Sequence, residues 1–396
     1  MVARLTDSEL YAHLWGTDEL RRVFDERPRL QAWLDILVAL AQAEADYGLI
    51  PAEAGQAIAA GADVDRLDLA YIAAETRRTG HSTLGLIHGL QQVLPEAGGR
   101  WVYHAATVQD VTDTWMTLAF RQVARVCWRQ LRAIEAGLLA LAEAHRDTPM
   151  CGRTHGQPGA PITFGLKAAG WADEVRRQLE RLAEALPRLS VGQLGGGVGT
   201  LAAFGPHGLA VRRRFCERVG LADPGIAWLS ARDRPAEMTG LLAQITGTLG
   251  RVGNEVLELS RPEIGELAES VPEGFVGSIT MPHKVNPEVA EHLVTLARLV
   301  RAQHAVLLEG LVAEGERDGR GWKAEWAAVP EACLLAGAAL AAGERLVAGL
   351  AVHPEAMRAN LETWLATTDT GASAAMVDLV LTRARSAREA EPECWP

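Results

Sequence analysis

Across residues 107–148 the chain contains no proline and a single glycine, Gly137. Nothing there ends an α-helix, so the stretch permits one of about ten turns. Within it Cys127, Leu131, Ile134, Leu138 and Leu141 recur at steps of four and three, which places them on one apolar stripe. The same rhythm returns at Leu242, Ile245, Leu249, Val252, Val256 and Leu259. Stripes of this length are the seams of a long-helix bundle and call for helical association between subunits, with the stoichiometry left open. Gly247, Gly250 and Gly253, three apart in the second stripe, would let another backbone approach closely. Alternating β-branched runs and two-residue hairpin turns are scarce. The expected fold class is all-α.

Three parts follow: an N-terminal helical domain over 1–104, a central long-helix bundle over 105–346 and a C-terminal helical domain over 347–396. Pro158, Pro161, Pro187, Pro206 and Pro224 mark breaks between segments. A chain of 396 residues exceeds one ordinary core, in keeping with this division. Hydrophobic residues at 48% and charged residues at 22% are those of a soluble globular protein, and a net charge of −11 with no basic block argues against nucleic acid as a partner. Residues 332–343 lack charge but are too few to span a bilayer, and their Ala and Gly content reads as close helix packing. The early residues carry charge and no apolar core, so no secretory signal is read there. Cysteines 127, 151, 216, 333 and 394 are scattered and form no CxxC pair, which points to a reducing cytoplasm.

The chemistry concentrates in Gly277-Ser278-Ile279-Thr280-Met281-Pro282-His283-Lys284-Val285-Asn286-Pro287. Asn286 reads as the N-cap and Pro287 as the first residue of a following helix. Gly274 and Gly277 read as hinges around Phe275-Val276. Ser278, Lys284 and Asn286 then stand beside the positive end of a helix dipole, a place for an anion that gains charge during reaction. Two further segments matter. In Gly152-Arg153-Thr154-His155-Gly156-Gln157-Pro158 a histidine sits between small residues, read as preceding a proline-started helix. In Thr107-Val108-Gln109-Asp110, Thr107 or Asp110 can cap the long helix.

The 277–287 string resembles the pattern of the fumarase/aspartase superfamily, Gly-Ser-Ser-x-Met-Pro-x-Lys-x-Asn-Pro, and departs from it only at Ile279. Residues 153–157 are similar to the family's Arg-Thr-His-x-Gln segment, and 107–110 to its Thr-Ser-x-Asp segment, with Val108 in place of the serine. The resemblance runs from about residue 75 to 345. It implies a homotetramer with a twenty-helix core and active sites shared between subunits. It also implies a small anionic di- or tricarboxylate substrate and neither metal nor organic cofactor. Ser278 becomes the base that takes a proton beside a carboxylate, and Lys284 and Asn286 hold the charge of the resulting aci-carboxylate. His155, paired with Glu291 five residues beyond Asn286, orients substrate or passes a proton to the leaving group. Closure of the loop over 268–283 brings Ser278 into place. Arg153, Thr154, Gln157, Thr107, Gln109, His81, Met281 and Arg317 complete the implied substrate-binding set.

Gln109, Gln193-Leu194-Gly195-Gly196, Ala231-Arg232-Asp233-Arg234 and Trp322-Lys323-Ala324-Glu325-Trp326 look like the 3-carboxy-cis,cis-muconate cycloisomerase branch rather than adenylosuccinate lyase. Arg232-Asp233-Arg234 and Glu316-Arg317-Asp318 fit equally as substrate neighbours or helix-end ion pairs. Gly195 to Gly199 lack the preceding strand of a dinucleotide loop and read as a tight helix–helix connection. The expected activity is β-elimination from a substituted succinate, with C–N cleavage and a fumarate-type product. The alternative is a lactonising cycloisomerase. A non-catalytic structural homologue is at odds with the intact Ser278, Lys284, Asn286, His155 and Glu291.

Overall fold

The computed structural model describes residues 4–393 and 395, apart from Pro272 and Pro282. Pro282 of the 277–287 string and Cys394 therefore lie outside the described residues, as do residues 1–3 and 396. The order is α1 (Ala12–Trp15), α2 (Asp18–Phe24), α3 (Glu26–Asp46), α4 (Ala52–Gly61), α5 (Leu69–Thr79), α6 (Leu84–Val93), α7 (Glu96–Gly99) and the long α8 (Val108–Ala144). A hairpin of β1 (Pro149–Thr154) and β2 (Gln157–Thr163) leads into α9 (Phe164–Leu189), α10 (Gly208–Arg218) and α11 (Asp233–Leu259). Then come β3 (Leu267–Ala268), α12 (Glu288–Glu309), α13 (Gly319–Ala348), β4 (Ala351–Val352), α14 (Pro354–Trp364) and α15 (Ser373–Ala390). The fold is all-α, with two short antiparallel pairings, β1–β2 and β3–β4, among the described residues.

Helix α8 starts where it does because Thr107 and Asp110 form a capping box, each side chain serving the other's backbone N–H. At 37 residues it spans about 55 Å. Its stripe is buried at Cys127, Leu131, Ile134 and Leu138, while Leu141 is half-buried. The α11 stripe is buried at all six positions. Together with α9, α12 and α13 these form one core, and α3 to α6 with α10 form a second.

Two of the three α11 glycines earn their place by close approach. A Cβ on Gly250 would lie 2.9 Å from the Ala297 Cβ, and one on Gly253 would lie 2.8 Å from the Ala290 carbonyl of α12. Gly247 has open space apart from an Arg301 side-chain end at 4.0 Å, so it is not an approach point. Residues 332–343 sit inside α13, which packs at the centre of the first core. Pro187 does not end its helix at once: α9 continues two residues to Leu189, the proline forgoing one backbone hydrogen bond close to the helix end.

Two further expectations are corrected. Pro158 starts no helix but lies in β2, so His155 stands at the tip of a hairpin, with φ at +51°. Nor does Asn286 cap α12. The helix begins at Glu288 with Pro287 at the cap position, and the first free N–H groups are taken by Glu269, whose carboxylate accepts from Val289 N at 3.1 Å and Ala290 N at 2.6 Å. The side chain of Asn286 turns instead to Glu288, its Nδ2 donating to Oε1 at 3.1 Å.

Candidate active site

The implied site residues fall into three groups. The first surrounds the start of α8. Arg317, just before α13, donates from Nη1 to the Thr107 hydroxyl at 2.7 Å and from Nε to the Gln109 carbonyl oxygen at 2.9 Å. Gln109 is buried, and its amide nitrogen donates to the Leu229 carbonyl at 2.8 Å and to Asp113 at 3.3 Å. It is therefore a holder of Arg317 rather than a substrate contact, because both ends of its amide are committed.

Behind it lies a dry ion cluster. Arg232 pairs with Asp113 at 2.7 Å and with Glu325 at 2.5 Å, all three side chains being almost completely buried. Arg232 is thus structural. Asp318 caps α13 through the Arg320 N–H at 2.9 Å and pairs with the Arg320 guanidinium, so the acid of this segment is spent on Arg320 and not on Arg317.

Asp110 fastens the glycine loop to this helix end. Its carboxylate accepts from Thr107 N, Gly195 N, Gly196 N and the Gln193 amide. Burial raises its carboxyl and those donors oppose the rise, leaving it at about 6. Tyr103 and Ala105, on the turn entering α8, both have positive φ, at +64° and +55°. Strain of this kind persists only where surrounding contacts fix it. Burial raises the Tyr103 hydroxyl above its ordinary range, opposed by hydrogen bonds from Thr83 and Thr107 and by the nearby Arg317. His81 joins through its Nδ1, 3.4 Å from the Thr83 hydroxyl. Thr83 and Tyr103 escaped sequence reasoning, since neither lies in a motif.

The second group is the hairpin tip. Thr154, His155 and Gln157 are exposed there. Arg153 is not free for substrate. Its guanidinium forms a fork–fork pair with the buried Glu266 at 2.7 and 2.8 Å, so it anchors the hairpin beside β3.

The third group is the loop before α12. A Cβ on Gly277 would lie 2.7 Å from the Lys284 carbonyl, so the loop pinches shut on itself there and only glycine fits. Gly274 supplies a φ of +80° in open space. Inside the pinch the Ser278 Oγ accepts the Met281 N–H at 3.1 Å. Lys284 and Met281 are exposed, and Ser278 is half-buried. Glu269 occupies the helix end that Asn286 was expected to serve; it lies 17 residues before Asn286 in the sequence, and no local pattern marks it. Burial raises its carboxyl and the two backbone N–H groups pull the other way.

Glu291 is exposed on the first turn of α12. Among the described residues no hydrogen bond or ion pair joins His155 to Glu291, or links the side chains of Arg317, His155 and Ser278. Each group is held by its own local contacts. Chemically they offer a cation on a hydroxyl-lined helix end, a strained histidine, and a hydroxyl backed by an amide on a loop that also carries Lys284.

A protein-family model described as Lyase matches residues 15–302, reaching further into the N-terminal helices than the motifs alone. The chain is 40% identical over 362 residues to an N-acetyl-S-(2-succino)cysteine lyase of Dickeya dadantii (strain 3937), covering 91% of this chain and 80% of that protein. It is 39% identical to an adenylosuccinate lyase of Methanothermobacter thermautotrophicus, covering 88% of this chain and 78% of that one. Among solved structures, the 3-carboxy-cis,cis-muconate lactonizing enzyme from Pseudomonas putida superposes with a TM-score of 0.86 at 33% identity, over 96% of this chain and 89% of that one. An all-α enzyme with lyase relatives on both sequence and structure is thereby defined. The chain belongs to this lyase family, the fumarase/aspartase superfamily.

Proposed function

We propose that the protein is a β-eliminating lyase that releases a fumarate-type product from a 2-substituted succinate, the leaving atom being nitrogen or sulfur. The observation that carries this reading is the Ser278 Oγ receiving the Met281 N–H at 3.1 Å inside a pinched loop that also bears Lys284. A serine hydroxyl is a weak base unless its alkoxide is stabilised, and a preorganised amide with a neighbouring ammonium supplies that stabilisation. Ser278 removes the proton next to the distal carboxylate, and Lys284 and Asn286 take up the charge of the aci-carboxylate. Arg317, held by Thr107 and Gln109, fixes the other carboxylate. His155 with Glu291 hands a proton to the departing heteroatom, while Thr154 and Gln157 flank it.

The three groups meet in a homotetramer with a twenty-helix core, each subunit lending one group to a shared site. That assembly is part of the proposal, as are the division at 104 and 346 and a cytoplasmic setting; the succinocysteine and adenylosuccinate relatives support the succinyl substrate. A second reading, lactonisation of a carboxymuconate, draws support from the TM-score of 0.86 to the lactonizing enzyme. Ultraviolet absorbance of fumarate released from S- and N-substituted succinates separates the two. Ser278→Ala is expected to lose turnover by at least about a thousandfold, as for removal of a catalytic nucleophile or base. Its melting temperature should be unchanged, because Ser278 makes one local hydrogen bond. Wild-type rates in that variant, or lactone without fumarate, overturn the elimination reading.

A further inference from the structure

A cavity of about 420 Å³ lies between α3, α5, α6, α8 and α13, within one chain, and none of the proposed chemistry uses it. Its volume is that of a small-molecule site. The wall is an aromatic box. Trp33 and Trp115 meet edge to face at 6.2 Å, Phe24 meets Trp115 at 6.1 Å, and Trp326 closes another side. Arg29 stands in this box with its guanidinium 5.9 Å from each of the Trp33 and Trp115 rings.

What sets the cavity apart from a packing defect is its unspent polarity. The Arg29 Nε is buried without a hydrogen-bond partner, and so is the Trp33 indole N–H. Among the described residues the Arg29 side chain makes no ion pair or hydrogen bond, whereas most of the chain's buried guanidinium groups are paired to carboxylates. Arg29 as a whole is half-buried, but its Nε is shut in, and a buried donor left idle costs stability unless something pairs with it. Of the other charged groups on the wall only Glu26 acts on it, through its charge and without a hydrogen bond. Glu325 is committed to Arg232, Arg77 is a second cation, and Glu26 is exposed at the mouth. The net invitation is to a carboxylate attached to an apolar body.

Position ties the cavity to the first group of site residues. Ser82, on the wall, lies between His81 and Thr83. Thr112, also on the wall, is one helical turn beyond Val108 and donates to its carbonyl at 3.1 Å. Glu325 carries the ion cluster that supports Gln109 and hence Arg317.

We propose that this cavity is the leaving-group subsite, taking a departing group that carries a carboxylate on an apolar or aromatic body, its apolar part in the aromatic box and its carboxylate on Arg29. The assignment rests on the elimination reading above and narrows it to a substrate class.

The test uses full-length protein and N-acetyl-L-phenylalanine as the probe, with its carboxamide as the neutral control, followed by calorimetric titration so that turnover is not required. Wild type is expected to prefer the acid over the amide by about tenfold, the worth of one charge-assisted hydrogen bond. Arg29→Gln should erase that preference and leave the amide affinity in place, and Arg29→Lys should restore part of it. Ala73→Trp, on the exposed rim of the cavity, should remove binding of both compounds without disturbing the fold. No binding of the acid to wild type, an intact preference in Arg29→Gln, or full binding in Ala73→Trp overturns the assignment. Fumarate release without probe binding removes the cavity assignment and spares the lyase. Probe binding by a protein that releases fumarate from no substituted succinate removes the leaving-group role and with it the elimination reading.

Discussion

Replacing Arg232 with methionine tests the ion cluster on which the first group of site residues stands. Arg232 makes four charge-assisted hydrogen bonds, at 2.7 and 3.2 Å to Asp113 and at 2.9 and 2.5 Å to Glu325, in a place with almost no solvent. Methionine fills much of the volume but leaves two buried carboxylates without a counter-ion. Breaking such a pair from one side costs about 3–5 kcal/mol. With an unfolding entropy of roughly 0.8 kcal/mol/K for a chain of this size, the melting temperature should fall by roughly 4–6 °C at pH 7. The pH dependence carries a sign as well. Burial already raises the Glu325 carboxyl, and the variant removes the guanidinium that opposes the rise, so stability missing at pH 7 returns as pH falls. Adding Asp113→Asn and Glu325→Gln removes the stranded charges and should recover most of the loss. Differential scanning calorimetry of the single and triple variants across this range decides it. A single variant within 1 °C of wild type, or a triple variant no better than the single, refutes the reasoning.

Gln109→Leu should leave Arg317 tethered by Thr107 alone and strand the Leu229 carbonyl, lowering kcat/KM for a dicarboxylate by about ten- to a hundredfold, chiefly through KM; steady-state kinetics showing an unchanged KM would count against a positioning role. Glu44 is buried beside His104, their Oε1 and Nδ1 2.8 Å apart, and burial lifts its carboxyl to about 8. A carboxyl raised on folding contributes stability that is complete below about 4.5 and lost as pH rises through about 8. Burial lowers His104, so its own contribution runs the other way and is lost on acidification. Glu44→Gln should therefore flatten the fall in melting temperature between about pH 4.5 and 8, and an equally steep fall across that window in the variant would be the contrary result.

The hairpin shows where local reading stops. Pro158 after a histidine carries the same local signal whether a helix or a strand follows, because proline is at home at a first helical position and at a bulged strand edge alike. The register shift between Gly152 and Arg153 and the Arg153–Glu266 pair, which joins residues 113 positions apart, settle the matter in favour of the strand. The capping of α12 went the same way. Asn286-Pro287 has the local chemistry of a helix start, yet a carboxylate arriving from Glu269 satisfies two N–H groups at once and displaces it.

By itself the sequence determined the all-α class, the apolar stripes of α8 and α11, a helix cap at Thr107 or Asp110, and the family, because each rests on residue spacing within a segment. Tertiary structure decided which polar groups are spent and which are idle. Arg153, Arg232 and Gln109 are consumed by partners distant in sequence, while Arg317 is held ready and Arg29 is left with a buried donor unpaired. Satisfaction of a hydrogen-bonding group depends on what folding places within 3 Å of it, and no window of neighbouring residues contains that information.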